Sequence, residues 1–216
     1  MKTFYDIIKQ VSNMRWSIDD PEPTSFSEVQ MNLKQAVQQA HSYIWGRDDF
    51  MFKQVSELVV LPAGEDSLEA PKGNILNIML QGADSYLDYA DNTDFLQPAQ
   101  GTPDRYWLES NPAGNVLKFY PRADKSYYVR ERYNSLFKAR NKNGELIYNM
   151  EAAEDILNIP PEFEETYLAA LKPMAIYYLI ADNTDENFQP YWEQFEQQYA
   201  NLKALTGRKI ETRFVL

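Results

Sequence analysis

The chain has no cysteine, one histidine and only eight glycines among its 216 residues. Without cysteine it has no disulfide scaffold, no thiolate zinc site and no cysteine nucleophile. The single histidine, His41, falls inside a predicted helix and lacks the neighbours that a catalytic triad or a zinc site requires, so we interpret it as a surface or boundary residue. The glycines are scattered and form no phosphate-binding loop. We therefore predict no catalytic, cofactor-binding or metal-binding residues.

Long hydrophobic runs are missing as well. The longest, MAIYYLIA at 174–181, is far shorter than the roughly 20 residues of a membrane-spanning helix. The N-terminal stretch has neither a long apolar core nor a small-residue cleavage site, so it does not resemble a signal peptide. We expect no membrane contact, and the lack of cysteine is compatible with a reducing cytoplasm.

Basic charge is scarce, and the net charge is −11. This argues against a dedicated nucleic-acid-binding protein, because phosphate contacts need clustered lysine and arginine. Nine bases lie between 105 and 142, whereas 151–200 contains eleven acids and Lys172 as its single base. A chain with one basic and one acidic region attracts copies of itself head to tail, and such contacts generate a ring when the rotation closes. Solubility and local ion pairs are the alternative explanation. The residues that we predict at a subunit interface are Arg130, Arg132, Glu164 and Glu165.

Apolar residues at steps of three and four predict several helices. Pro161 suits the first turn of one of them, and an Asn183–Glu186 capping pattern precedes another. The predicted helices cover 3–14, 27–46, about 151–157, and two further segments within 160–205 that are joined by a polar turn.

Between 50 and 150 the apolar residues alternate with polar ones instead. The runs RYWLES, NVLKFYP and SYYVRERYN, separated by NPAG and PRAD, predict an antiparallel meander with one solvated face. LFKAR and ELIY on either side of NKNG predict a further hairpin. The acidic and aromatic stretch 83–103 is rich in residues that break helices and strands, so we predict a long loop there.

Carboxylates are plentiful and suggest an alternative function. Two adjacent pairs, Asp19–Asp20 and Asp48–Asp49, are compatible with a carboxylate-based glycoside hydrolase, but adjacency in sequence does not establish two acids across a cleft. Another alternative is a carbohydrate- or peptide-binding module that uses the aromatic segment 83–107. The motif ADNTD occurs at 90–94 and 181–185, yet it lacks the glycine and the ligand spacing of an EF-hand loop.

The order of the segments is more specific than any single motif. Helices ending in HSYIWGRDDF precede the β region GTPDRYWLESNPAGNVLKFYPRADKSYYVRERYNSLF, and IPPEFEETYLAALKPMAIYYLI follows. In this respect the chain resembles the head-to-tail adaptor proteins of tailed bacteriophages, also called connector or head-completion ring proteins, which include the podovirus tail tubular protein A. The resemblance spans most of 1–205, and the stretch 63–103 is longer than in the shortest members. It is carried by Arg105–Leu108, Leu117–Pro121, Asp124, Tyr128–Tyr133, Pro161–Glu165, Tyr167 and Ala170.

The resemblance implies an α+β fold. It consists of a four-helix bundle-like core, an antiparallel β meander inserted between the second and third long helices, and an extended C-terminal tail. The corresponding boundaries are 1–49 for the N-terminal helices, 50–150 for the inserted β region, 151–206 for the C-terminal helical hairpin and 207–216 for the tail.

The resemblance also implies a structural virion protein at the head–tail interface, without enzymatic activity or cofactor, which assembles in the cytoplasm of a bacterial host. About twelve copies form a homo-oligomeric ring below the portal protein and extend the channel for genomic DNA. The DNA passes through without sequence-specific binding, and the ring presents a platform for a downstream tail or nozzle protein. The C-terminal tail docks on the portal by main-chain hydrogen bonding. The residues expected in that docking are Arg208, Lys209, Ile210, Arg213 and Phe214.

Overall fold

The computed structural model describes residues 1–15, 25–27, 29–91, 97–112, 114–181 and 187–206. The chain forms two compact units. The helical unit comprises Met1–Lys53 and the described residues from Phe137 onward, and the strand unit comprises Gln54–Leu136. The predictions for Asp19–Asp20, for the Asn183–Glu186 capping pattern and for the C-terminal tail lie outside the described residues.

Four helices lie in the described part of the helical unit: α1 (Phe4–Arg15), α2 (Met31–Arg47), α3 (Pro161–Ile180) and α4 (Gln189–Thr206). A capping box begins α1, because the Thr3 N–H donates to Asp6 Oδ2 at 3.0 Å and the Asp6 N–H donates to Thr3 Oγ1 at 3.2 Å. As predicted, Pro161 stands in the first turn of α3, where a missing N–H costs nothing. The core side chains that are completely buried include Phe4, Ile7, Ile8, Ile44, Tyr167, Leu171 and Phe195.

A buried lysine that follows α2 caps the C-terminal end of the helix. Lys53 Nζ donates to the carbonyl oxygens of Trp45 and Asp48, each at 2.7 Å. These carbonyls lack partners within the helix, so the ammonium group satisfies the end of α2. Arg47 in the last turn binds Glu196 of α4 at 2.7 Å, which ties the two helices together.

The described residues of the strand unit form nine strands: β1 (Gln54–Leu61), β2 (Ser67–Glu69), β3 (Gly73–Leu80), β4 (Asp88–Tyr89), β5 (Gln100–Gly101), β6 (Arg105–Asn111), β7 (Gly114–Tyr120), β8 (Arg122–Ala123) and β9 (Tyr127–Ser135). They form three sheets, with strand orders β1-β9-β3, β2-β7-β6-β4 and β5-β8. The unit has its own hydrophobic core, which includes Leu61, Ile78, Leu117, Phe119 and Val129.

A small antiparallel sheet lies in the helical unit. Its strands are β10 (Ala139–Arg140), β11 (Leu146–Ile147) and β12 (Ile156–Leu157), in the order β11-β10-β12. The predicted hairpin between LFKAR and ELIY is confirmed, because Ala139 pairs with Ile147. Gly144 permits its turn with a φ of 82°, a backbone conformation that favours glycine.

The predicted fold class is wrong. Instead of a four-helix bundle-like core with one antiparallel meander, the described chain has four helices and twelve strands in four sheets, and two of its strand pairs are parallel. β6 and β7 pair as predicted, but β9 lies in a different sheet, where it pairs with β1 and β3. β9 has nine residues and a buried inner face, and β1 and β3 supply eight residues each for pairing with it. This choice of distant partners is not encoded in the local alternation.

Three local predictions are also wrong. The stretch 83–103 contains β4 and β5, both of which pair in parallel with later strands. No helix forms at 151–157, because the Asp155 carboxylate accepts the N–H groups of Glu151 and Ala152 at 2.7 Å each and folds a turn before β12. α2 begins at Met31 rather than at residue 27, since Val29 packs into the core ahead of the helix. Within the described ranges, no helix is long and apolar enough to cross a membrane.

Candidate interaction surface

An exposed sheet face in the strand unit carries two of the predicted interface residues. Tyr128, Arg130 and Arg132 alternate along β9 and therefore lie on one side of the sheet. On β1, Val60 pairs with Tyr128 and Leu58 pairs with Arg130. We call the surface made of Leu58, Val60, Tyr128, Arg130 and Arg132 the arginine face.

The arginine face exposes large apolar side chains next to its two arginines. Leu58 is 47% exposed, Val60 is 48% exposed and Tyr128 is 56% exposed. The opposite side of the same strands fills the core of the unit with Leu61 and Val129, so the exposed residues have no place inside. β1 is an edge strand, whose free N–H and C=O groups are available for pairing. Neighbouring exposed apolar groups of this kind mark a site of protein contact.

The two arginines are not engaged within the described parts of the chain. Neither Arg130 nor Arg132 makes a hydrogen bond or an ion pair with a described residue. A guanidinium group binds a carboxylate through two parallel hydrogen bonds and also stacks on aromatic rings. The arginine face can therefore bind a surface that combines carboxylates with aromatic side chains.

The two acids predicted for the other side of the interface differ in their surroundings. Glu164 accepts a hydrogen bond from the Lys2 N–H and lies 3.8 Å from the N-terminal ammonium group, and its side chain is only 13% exposed. Glu165, the next residue on α3, is exposed. A role for either residue between subunits stays a prediction.

A groove in the helical unit was missed by the sequence patterns. It has a volume of about 440 Å³, and its walls include Phe137, Leu146, Tyr148, Asn149 and Glu151. We call it the aromatic groove, because the Phe137 and Tyr148 rings lie 4.8 Å apart at 35° to one another. The available signal was the apolar, aromatic and acidic sequence LIYNME, which fits an ordinary hairpin strand equally well.

His41 is buried rather than placed at the surface or boundary as predicted, being 1% exposed. Its Nε2 lies 3.0 Å from the Lys138 carbonyl oxygen, and because a carbonyl only accepts, Nε2 carries the proton. Nδ1 then accepts from the Tyr167 hydroxyl at 2.7 Å. Burial lowers the pKa of His41 to about 4, so the ring is neutral at pH 7. With both nitrogens occupied, His41 joins α2 to α3 and to the residue that precedes β10, and it is unavailable as a base or a metal ligand.

Two carboxylates face each other across strands β1 and β9. Glu57 pairs with Glu131, which is only 2% exposed and whose Oε1 has no hydrogen-bond partner within the described ranges. Burial, followed by the negative charge of Glu57, raises the pKa of Glu131 to about 7. A glycosidase also pairs a protonated with an ionised acid, but its acids line an open cleft, and Glu131 is sealed from substrate. In the part of the chain that the structure describes, no group of three or more His, Asp or Glu side chains is placed to hold a metal ion.

No protein-family model matches the chain, and no curated protein matches it in sequence.

Proposed function

We propose that the chain is a structural head-to-tail adaptor of a tailed bacteriophage. About twelve copies form a ring below the portal protein, extend the DNA channel and carry the attachment site of a downstream tail or nozzle protein. The proposal starts from the resemblance of the β region and the third helix to that family, and the helical bundle that the resemblance implied is not part of it. The observation that carries it is the arginine face, an exposed surface with two uncommitted arginines beside three exposed apolar side chains.

Ring formation follows from a contact between two different surfaces of neighbouring copies. Such a head-to-tail contact repeats until it closes, and opposite charges guide the approach. The arginine face provides the basic side, and the acidic side lies on the helical unit, whose exposed acids include Glu151 and the predicted Glu165. A net charge of −11 also suits a channel through which DNA slides, because an acidic wall does not retain phosphates.

Portal docking is assigned to the tail residues Arg208, Lys209, Ile210, Arg213 and Phe214. Deleting 208–216 should weaken binding to the portal at least tenfold and leave the melting temperature nearly unchanged, because these residues follow the last described helix. Surface plasmon resonance on immobilised portal rings measures the first effect, and calorimetry measures the second. A chain with the same nine residues in scrambled order is the control, and it should bind as weakly as the deletion. Unchanged portal binding, or a large fall in melting temperature, would contradict the role of the tail.

A second candidate is a carbohydrate-binding module, and two exposed tyrosines favour it. Tyr86 is 55% exposed and Tyr89 is 53% exposed, and the Tyr89 ring lies edge-on to Tyr106 at 5.5 Å. Exposed aromatic rings can stack on sugars. Binding on a glycan array that is lost in Tyr86→Ala and Tyr89→Ala would support this candidate over the adaptor.

A further inference from the structure

We infer that the aromatic groove of one copy receives the arginine face of a second copy. The inference rests on the self-association in the proposed function, and it names the surface that meets the arginine face. The two surfaces are different, so the contact is head to tail, and each added copy offers an unused surface to the next copy until the ring closes.

The aromatic groove offers apolar and aromatic walls. Tyr148 is 52% exposed and Leu146 is 41% exposed, and the Tyr148 ring leans on Phe137. These side chains match the exposed Leu58, Val60 and Tyr128 of the arginine face in character. Contact would remove both apolar sets from water, which favours association.

The groove also offers negative charge. Residues 141–155 carry four acids, at 145, 151, 154 and 155, against Lys142. Asp155 is committed to the turn through its two backbone hydrogen bonds, but the Glu151 side chain is exposed at the groove and has no hydrogen bond or ion pair with a described residue. Glu151 is therefore the acid that an incoming guanidinium group can pair with.

Two basic side chains near the groove, Lys138 and Arg140, are already occupied. Lys138 Nζ donates to Ser42 Oγ at 2.8 Å and to Asn149 Oδ1 at 2.9 Å. Arg140 donates to Asn158 Oδ1 at 3.0 Å and to the Gly144 carbonyl at 3.2 Å. An aromatic pair beside a free carboxylate fits arginine better than lysine, because a guanidinium stacks and pairs at the same time.

Among the acids of the helical unit, Glu151 is a better acceptor than Glu164. The Glu164 carboxylate already holds the Lys2 N–H and is mostly covered. Glu165 is exposed and provides the rival acceptor in the test below.

Cysteine cross-linking tests the contact directly, because the chain has no cysteine of its own. We would mix purified full-length Arg130→Cys with Glu151→Cys, add a short bismaleimide that joins two thiols, and follow the hetero-dimer on a gel. A cross-linker is used because a paired arginine and glutamate hold their Cα atoms farther apart than the about 7 Å that a disulfide bridges. The matched control is Arg130→Cys with Glu165→Cys, which places an exposed thiol on α3. The cross-link between positions 130 and 151 should form at least ten times faster than the control cross-link, and equal rates, or a faster control, would overturn the inference.

Charge exchange gives a second and independent measurement. Arg130→Glu should weaken self-association in sedimentation equilibrium at least tenfold, and Glu151→Arg should do the same. Mixing the two variants should restore association between alternating copies, because the exchanged charges meet at one contact and the native Arg130 and Glu151 meet at the next. Circular dichroism spectra that match the parent chain exclude misfolding. Failure to restore association would count against the groove.

The inference and the proposed function can fail separately. Cross-linking at 130 and 151 without any binding to a portal would retain the inference and reject the adaptor function. A ring on the portal that forms equally well with Arg130→Glu would retain the adaptor and reject the groove as the partner of the arginine face.

Discussion

His41 shows how a single buried side chain sets the acid stability of the helical unit. Its folded-state pKa of about 4 is below the ordinary 6.5, so the unfolded chain takes up the proton first as the pH falls. The contribution of neutral His41 is complete above pH 6.5 and is lost as the pH falls from 6.5 towards 4, by up to about 3 kcal/mol.

His41→Gln separates this effect from the titration of the many acids. The variant should be less stable than the parent at pH 7.5 and should lose less stability between pH 7.5 and pH 5. Urea unfolding, monitored by hydrogen exchange of the α2 and α3 amides, measures the stability at pH 7.5 and its change down to pH 5. An identical loss in the two chains would contradict the lowered pKa of His41.

Glu131 in the strand unit titrates in the opposite sense. Its folded-state pKa of about 7 is above the ordinary 4.5, so the folded state holds the proton more tightly. Stability from protonated Glu131 is complete below pH 4.5 and is lost as the pH rises through 7. Its neighbours are Glu57 on β1, Ile78 on β3 and Tyr133 on its own strand.

Glu131→Gln should mimic the protonated acid. The variant should match the parent at pH 4.5 and exceed it in stability at pH 8.5, as measured by hydrogen exchange of the β9 amides. Glu57→Gln is the companion variant, and it should lower the pKa of Glu131 by removing the facing charge. A Glu131→Gln variant whose stability difference from the parent is the same at both pH values would show that Glu131 is not buried as described.

Leu171 tests the packing of α3. The side chain is completely buried, so Leu171→Ala should cost about 2–5 kcal/mol in the free energy of unfolding. Leu205→Ala, on the 53% exposed Leu205, is the control and should stay within about 0.5 kcal/mol of the parent. Equal effects in urea melts would mean that the buried face of α3 is assigned incorrectly.

At the scale of the elements, Gly73 sets the pairing of β3 with β9. A Cβ at this position would collide with the Asn134 carbonyl oxygen and the Tyr133 ring. Gly73→Ala should therefore destabilise the strand unit by about 1–3 kcal/mol, the usual cost of overpacking. Gly46 near the end of α2 is the matched control, because an added Cβ meets nothing within 4 Å there.

Gly46→Ala should be neutral or stabilise α2 by up to about 1 kcal/mol, since alanine is the better helix former. Thermal unfolding by calorimetry compares the two alanine variants. If Gly73→Ala proved as harmless as Gly46→Ala, the close approach of β3 and β9 would be wrong.

The elements that the sequence predicts well are those whose signal is local. The apolar spacing of α1, α3 and α4 and the NKNG turn between β10 and β11 lie within short windows. The partners of β9 lie outside any short window, because paired residues such as Val60 and Tyr128 are far apart in the chain. Alternation shows only that each strand has an outer face. The sequence did not predict the turn at Asp155. A turn in which a carboxylate accepts nearby backbone N–H groups has the same kind of composition as a short helix, so the two are hard to distinguish.

The candidate site was predictable only in part, for the same reason. Charge counts and alternation place Arg130 and Arg132 together on one side of a strand. That Leu58 and Val60 lie beside them depends on the β1–β9 register, which is a long-range property. The aromatic groove depends on the approach of Phe137 to Tyr148 across a hairpin, and no short sequence window reports it.

At the scale of the whole molecule, each unit exposes one half of a complementary pair. The strand unit presents two half-buried arginines that no described residue engages, and the helical unit exposes a carboxylate beside an aromatic pair. A chain with a net charge of −11 repels its own copies over long distances, and opposite charges placed locally at a contact offset this repulsion.

Native mass spectrometry of the full chain mixed with the portal protein of a tailed bacteriophage tests the adaptor function most directly. We expect one dominant species, a portal ring that carries a complete ring of about twelve copies of this chain, formed head to tail. The Arg130→Glu chain should give partly loaded portals under the same conditions. Bare portal rings beside a free monomer of the parent chain, at concentrations where both proteins are folded, would contradict the central claim.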